Sequence, residues 1–111
     1  RLIAFRDLVD QEALADIKLQ TNGVEGSFAR DGHRQVNIDP GYLLLERFVL
    51  ATGKNFSHRI YLRRGIYADL TLVYQKGQFA ALPWTYPDYA DPGLQAFLTK
   101  VRRKYALDLK A

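Results

Sequence analysis

The chain has no cysteine and no methionine, a single tryptophan, two histidines and four prolines in 111 residues. Without cysteine there is neither a disulfide scaffold nor a thiolate metal site, and a reducing, cytoplasmic setting is the expectation. Two histidines fall short of the several His or Cys ligands that zinc recruits, so no metal site is expected. No apolar run approaches the ~20 residues that span a bilayer, and no apolar h-region precedes a small-residue cleavage site, so no membrane partner is expected. Internal repeats and low-complexity tracts are also missing. What is abundant is apolar: 48% of the residues are hydrophobic and 13% aromatic. That is too rich for disorder and enough for one globular domain with a core of its own. The chain opens at Arg1 directly in element-like sequence, and the expectation is a single domain over residues 1–111 that forms the C-terminal part of a longer one.

The formal charge of +4 is unevenly distributed: residues 1–53 carry −2, residues 54–64 +4, residues 65–91 −2 and residues 92–111 +4. Two basic patches therefore stand on a mildly acidic body.

Residues 10–29 read as an amphipathic helix capped by Asp10, with Leu14, Ile17, Thr21, Val24 and Phe28 along one face. Asp31-Gly32 signals a turn, and Arg34–Ile38 a short strand. Asp39-Pro40 offers an N-cap followed by proline at the first helical position, which predicts a second, buried helix ending at Gly53. An alternative is strand over Tyr42–Leu45, because short apolar runs do not separate the two states. From Ser57 the period switches to two. Ser57–Leu62, Ile66–Gln75 and Gln78–Leu82 read as an antiparallel meander with turns at Arg63-Arg64-Gly65 and Lys76-Gly77. A three-residue first loop pairs Leu62 with Ile66, Tyr61 with Tyr67, Ile60 with Ala68, Arg59 with Asp69 and Ser57 with Thr71, which segregates the faces. His58, Ile60, Leu62, Ile66, Ala68, Leu70, Leu72 and Tyr74, with Phe79 and Ala81, then form the core face. Ser57, Arg59, Tyr61, Tyr67, Asp69 and Thr71 form an organised polar and aromatic face. Asp91-Pro92 starts a last helix with a stripe of Leu94, Phe97, Leu98, Val101 and Tyr105, and with Lys100, Arg102, Arg103 and Lys104 on the opposite face and its shoulders. The fold class expected is α+β: an antiparallel meander of three to four strands packed against two to three helices.

Four strings carry a resemblance: Asn37-Ile38-Asp39-Pro40-Gly41-Tyr42, Ser57-His58-Arg59-Ile60-Tyr61-Leu62, Gly65-Ile66-Tyr67-Ala68-Asp69-Leu70-Thr71-Leu72 and Leu82-Pro83-Trp84-Thr85-Tyr86-Pro87-Asp88-Tyr89. In this order the chain resembles a bacterial family known as domain of unknown function 4416, over essentially its whole length. Members look longer at the N-terminus. The departures are Asp69, where Glu is expected, and the Arg63-Arg64 pair. The resemblance implies no activity, cofactor or catalytic residue.

Among the candidates for chemistry, Ser57 and His58 are adjacent on a strand and point to opposite faces, so they form no nucleophilic dyad. Gly53-Lys54 lacks the earlier glycine and the following Ser/Thr of a phosphate loop. The Arg59–Asp69 pair reads either as a half-exposed ion pair or as an anion site, in which Asp69 orients the arginine fork and Tyr61 and Tyr67 supply stacking and hydroxyl groups. A neighbouring arginine opposes proton transfer by Asp69 and so favours binding over catalysis. The connector from Pro83 to Asp91 either closes the end of the core or forms a lip, with Trp84 or Tyr86 as platform and Asp88 as acceptor. Arg63, Arg64, Lys100, Arg103 and Lys104 are solubilising charges or phosphate contacts for a nucleic acid or other polyanion. The leading expectation is a module binding an anionic small molecule or nucleotide. An enzyme using the same face, and a protein- or nucleic-acid-interaction domain, are the alternatives.

Overall fold

Alternation of apolar and polar residues, punctuated by Arg64-Gly65 and Lys76-Gly77, produces the strand-rich centre of the chain. The computed structural model describes residues 2–110. A single 3-10 turn over Gln11–Ala13 leads into helix α1 (Leu14–Ser27). Strands β1 (Gly41–Leu43), β2 (Arg47–Thr52), β3 (Arg59–Arg63), β4 (Ile66–Gln75) and β5 (Gln78–Ala81) follow, then helices α2 (Pro87–Ala90) and α3 (Pro92–Lys110). The architecture is α+β, with one antiparallel sheet ordered β1-β2-β4-β3 and β5 paired to β4. By internal packing the chain divides into two units. One comprises Val9–Tyr42 and Leu50–Asp69; the other comprises Leu43–Val49, the segment from Leu70 onward and the first eight residues.

In the first unit, Leu14, Ala15, Ala51 and Ile66 are buried. Helix α1 forms where expected, but the covered face is shifted: Leu14 of the expected stripe is buried and Val24 and Phe28 are exposed, while Ala15, Lys18 and Glu25 are buried outside it. The two charged side chains explain the next difference. Residues 34–38 form no strand, because Glu25 Oε2 accepts the Ile38 N–H at 2.6 Å and Lys18 Nζ donates to the Ile38 carbonyl at 3.3 Å. Both backbone groups of Ile38 are thus satisfied by helix side chains instead of a strand partner. Asp10 precedes the 3-10 turn but makes no side-chain capping bond.

The helix expected over residues 40–52 is instead the β1–β2 hairpin; the strand alternative over Tyr42–Leu45 overlaps β1 at Tyr42 and Leu43, and β2 belongs to neither reading. In the second unit Leu44 N–H donates to the Arg47 carbonyl at 2.9 Å, and in the first Ala51 N–H donates to the Pro40 carbonyl at 2.9 Å. Asp39 consequently caps nothing, and its Oδ2 accepts from Asn37 Nδ2 at 3.0 Å. An apolar run is indifferent between a buried helix and a buried strand, and here the sheet takes it.

The β3–β4 hairpin keeps three expected pairs, Arg59 with Asp69, Ile60 with Ala68 and Tyr61 with Tyr67, but reaches them differently. Arg64 and Gly65 form a two-residue loop with φ of 52° and 81°, closed by the Arg63–Ile66 pair. The register then shifts between Tyr61 and Arg63, so Leu62 is an extra residue that restores the offset of a three-residue loop. Ser57 pairs with nothing on β4, since Ser57 and His58 lie in a turn closed by the Arg59 N–H on the Phe56 carbonyl. The face expected to be core is covered on β4 but not on β3: Ile66 and Leu72 are buried, whereas Ile60 is 68% exposed and Leu62 is also exposed. Alternation states which residues share a face and not whether anything covers it. β3 ends the sheet order, while β4 has three strand partners.

In the second unit, Phe48, Val49, Leu72, Phe79 and Leu98 are buried. β5 pairs with β4 through a Lys76-Gly77 turn with φ of 53° and 81°. Helix α3 starts at Pro92 as its sequence predicts, with Asp91 Oδ2 accepting the Leu94 N–H at 3.0 Å. Arg102 does not join the solvent face. It donates through Nε to the Leu45 carbonyl at 2.9 Å and lays its guanidinium carbon 3.6 Å from the Tyr74 ring centroid.

Candidate functional site

Register puts Arg59 opposite Asp69, and the two close to an ion pair, Nε to Oδ2, at 2.9 Å. The side chains are only 11% and 12% exposed. His58 reaches the same oxygen through Nε2 at 3.2 Å, so it is neither on the opposite side from Arg59 nor an isolated core histidine. The turn over residues 56–58 makes this possible, because strand alternation no longer applies there. The Arg59 Nη1 donates to the Lys54 carbonyl at 3.0 Å, and the guanidinium carbon lies 5.9 Å from the Phe56 ring centroid. Phe56 in turn meets the His58 ring edge-on at 5.7 Å. Two of the five guanidinium donors are thus used to hold the group in place. Nη2 makes no hydrogen bond among the described residues, and no fully buried side-chain nitrogen or oxygen there lacks a partner, so Nη2 retains a path to solvent. A cation fixed on two sides and open on the third is arranged to accept an oxyanion without reorganising.

Tyr61 and Tyr67 continue the same face, with ring centroids 5.2 Å apart at 72°. The Tyr61 hydroxyl accepts the Gly65 N–H at 3.2 Å, tying the ring to the hairpin tip. Beyond Tyr61, β3 and the residues ahead of α1 enclose a cleft of about 220 Å³ lined by Gln11, Glu12, Ala15, Tyr61, Leu62 and Arg63. Arg63 is held at its rim by Asp16 at 2.5 Å and by the Glu12 carbonyl at 3.5 Å. Arg64, at the turn, makes no polar side-chain contact among the described residues.

Trp84, Tyr86 and Asp88 belong to the other unit. The Trp84 indole N–H donates to the Leu70 carbonyl at 2.7 Å. Thr85 Oγ1 donates to the Thr71 carbonyl at 2.6 Å and accepts the Leu82 N–H at 2.8 Å. The connector is therefore stitched to β4. Tyr86 and Asp88 are exposed at the start of α2, and Tyr89 packs on Phe48 with centroids 5.8 Å apart. On α3, Lys100 and Arg103 are exposed, and Lys104 donates to Asp108 at 2.5 Å and to the Arg6 carbonyl at 2.9 Å.

Four contributors are not legible in the sequence. Alternation places His58 on the wrong side, Phe56 lies outside any strand pattern, and Glu12 and Gln11 come from a segment distant in sequence. A basic run followed by a lone acidic strand residue is the only local signal that the cations of 54–64 would find a carboxylate partner.

The fold and site together define a small α+β domain with a preorganised cation on one hairpin face. The chain belongs to the family described as Domain of unknown function (DUF4416), which matches residues 1–105. No curated protein and no solved structure matches it.

Proposed function

We propose that the domain is a binding module for a small anion-bearing molecule, a phosphate ester such as a nucleotide or an organic acid, taken on the Arg59, Tyr61, Tyr67 and Asp69 face. The observation that carries this is the state of Arg59: Nε on Asp69, Nη1 on the Lys54 carbonyl and Nη2 open. In this role Asp69 positions the guanidinium, Nη2 donates to the ligand oxygen, and the Tyr61–Tyr67 pair offers aromatic surface beside it. Trp84, Tyr86 and Asp88 are not needed for it. Titration with inorganic phosphate and then with nucleoside phosphates, followed by NMR of the backbone amides and the Arg59 side chain, tests the proposal. Expected are saturable shifts confined to residues 54–61 and 67–69, and a loss of at least about tenfold in affinity for Arg59→Lys, which keeps the charge but not the fork. Anions that leave these signals unmoved, or bind Arg59→Lys equally well, would overturn it.

A further inference from the structure

The cleft beyond Tyr61 has a different charge character from the Arg59 face. Its one cation, Arg63, is charge-paired with Asp16, Nη2 donating to Asp16 Oδ2 at 2.5 Å and to the Glu12 carbonyl at 3.5 Å. The Glu12 carboxylate and the Gln11 amide, by contrast, make no side-chain hydrogen bond or ion pair among the described residues. With the Arg63–Asp16 pair neutral, Glu12 leaves the cleft with one uncompensated negative charge. Tyr61, 57% exposed, and Leu62 line the same cleft. The Tyr61 ring cannot swing away easily, since its hydroxyl accepts the Gly65 N–H and its edge packs on Tyr67. An acidic residue and an anchored aromatic ring lining one cleft together with Ala15 and Leu62 make a set that recognises an organic cation: the ring quadrupole attracts the ammonium, the carboxylate pairs with it, and the alkyl part covers the apolar residues. The cleft volume of about 220 Å³ matches a molecule displacing roughly seven waters.

We infer that the Glu12–Tyr61 cleft is a binding site for a small alkylammonium group, carried either by a free amine or by a lysine side chain of a partner. It shares the Tyr61 ring with the proposed anion face but not its cation, because Glu12 takes no part in holding Arg59.

The test uses the full 111-residue chain and backbone NMR, titrated with 1,4-diaminobutane, with tetramethylammonium, and with a short lysine-containing peptide, each against sodium chloride of equal ionic strength. The expected result is saturable shifts at residues 11–15 and 61–63 that sodium does not produce. Glu12→Gln should weaken binding about tenfold and Tyr61→Leu by a similar factor, while Tyr61→Phe, which keeps the ring but loses its tie to Gly65, should weaken it less. Saturation by the free amines identifies a small-molecule source, and saturation by the peptide alone identifies a partner's lysine. Shifts that sodium reproduces, or amine binding untouched by Glu12→Gln, would overturn the inference. Retention of phosphate binding by Glu12→Gln separates this outcome from the fate of the Arg59 site.

Discussion

Asp69 has two cationic or potentially cationic neighbours on one oxygen, and its burial decides how much they matter. Replacing Asp69 by alanine leaves a guanidinium that is 11% exposed without its carboxylate, and a cost of about 3 kcal/mol is expected. The Arg63–Asp16 pair is shorter but 51% exposed on both sides, and solvent screening reduces Asp16→Ala to less than about 1 kcal/mol. Urea denaturation of the two variants checks the contrast, and equal losses would show that the hairpin tip is as dry as its base. Glu25 offers a second residue-scale test. Its carboxylate holds the Ile38 N–H at 2.6 Å in place of a strand partner, so Glu25→Ala should expose that amide to rapid hydrogen exchange and cost about 2 kcal/mol.

Two dipeptides of the same kind meet different fates at the scale of elements. Asp91-Pro92 opens α3, where nineteen residues hold a helical period and Asp91 caps the Leu94 N–H. Asp39-Pro40 precedes only strands, because the run behind it is too evenly apolar to choose a helix and lies where the sheet completes itself. Asp91→Ala should therefore lower stability by about 1 kcal/mol, while Asp39→Ala, with no cap to lose, should leave α-helical circular dichroism unchanged. The turns supply another comparison. Lys76 adopts φ 53° before Gly77 at φ 81°, a conformation that asparagine enters more easily, so Lys76→Asn should raise the thermal midpoint, by about 0.5 kcal/mol in stability. A fall instead would mean that the lysine side chain contributes more than its backbone strain costs. The meander was legible from alternation and turn residues because both are local properties. The extra residue at Leu62 was not, because it appears only when a tight two-residue turn must be reconciled with the pairing of Arg59 and Asp69.

For the whole molecule, the formal +4 overstates the charge available to a partner. Of the four cations between residues 54 and 64, Arg59 and Arg63 have their charge compensated by Asp69 and Asp16, even though Arg59 keeps Nη2 as a donor, which leaves Lys54 and Arg64 as the uncompensated charges. Binding of duplex DNA through this region should therefore show a log–log salt slope of about −2 at most, measurable by fluorescence anisotropy. A slope near −4 would mean that both ion pairs open for a polyanion. No described helix is long and apolar enough to cross a membrane. The sequence by itself determined the α+β class, the meander, the α3 helix and the membership of its family, since period, turn chemistry and family motifs are written along the chain. Only the tertiary structure decided that residues 41–52 form a hairpin, that Ile60 faces outward, and that the arginines at 59 and 63 meet carboxylates 10 and 47 residues away. Those outcomes depend on which distant partner arrives to cover a face or neutralise a charge, and no local pattern carries that information.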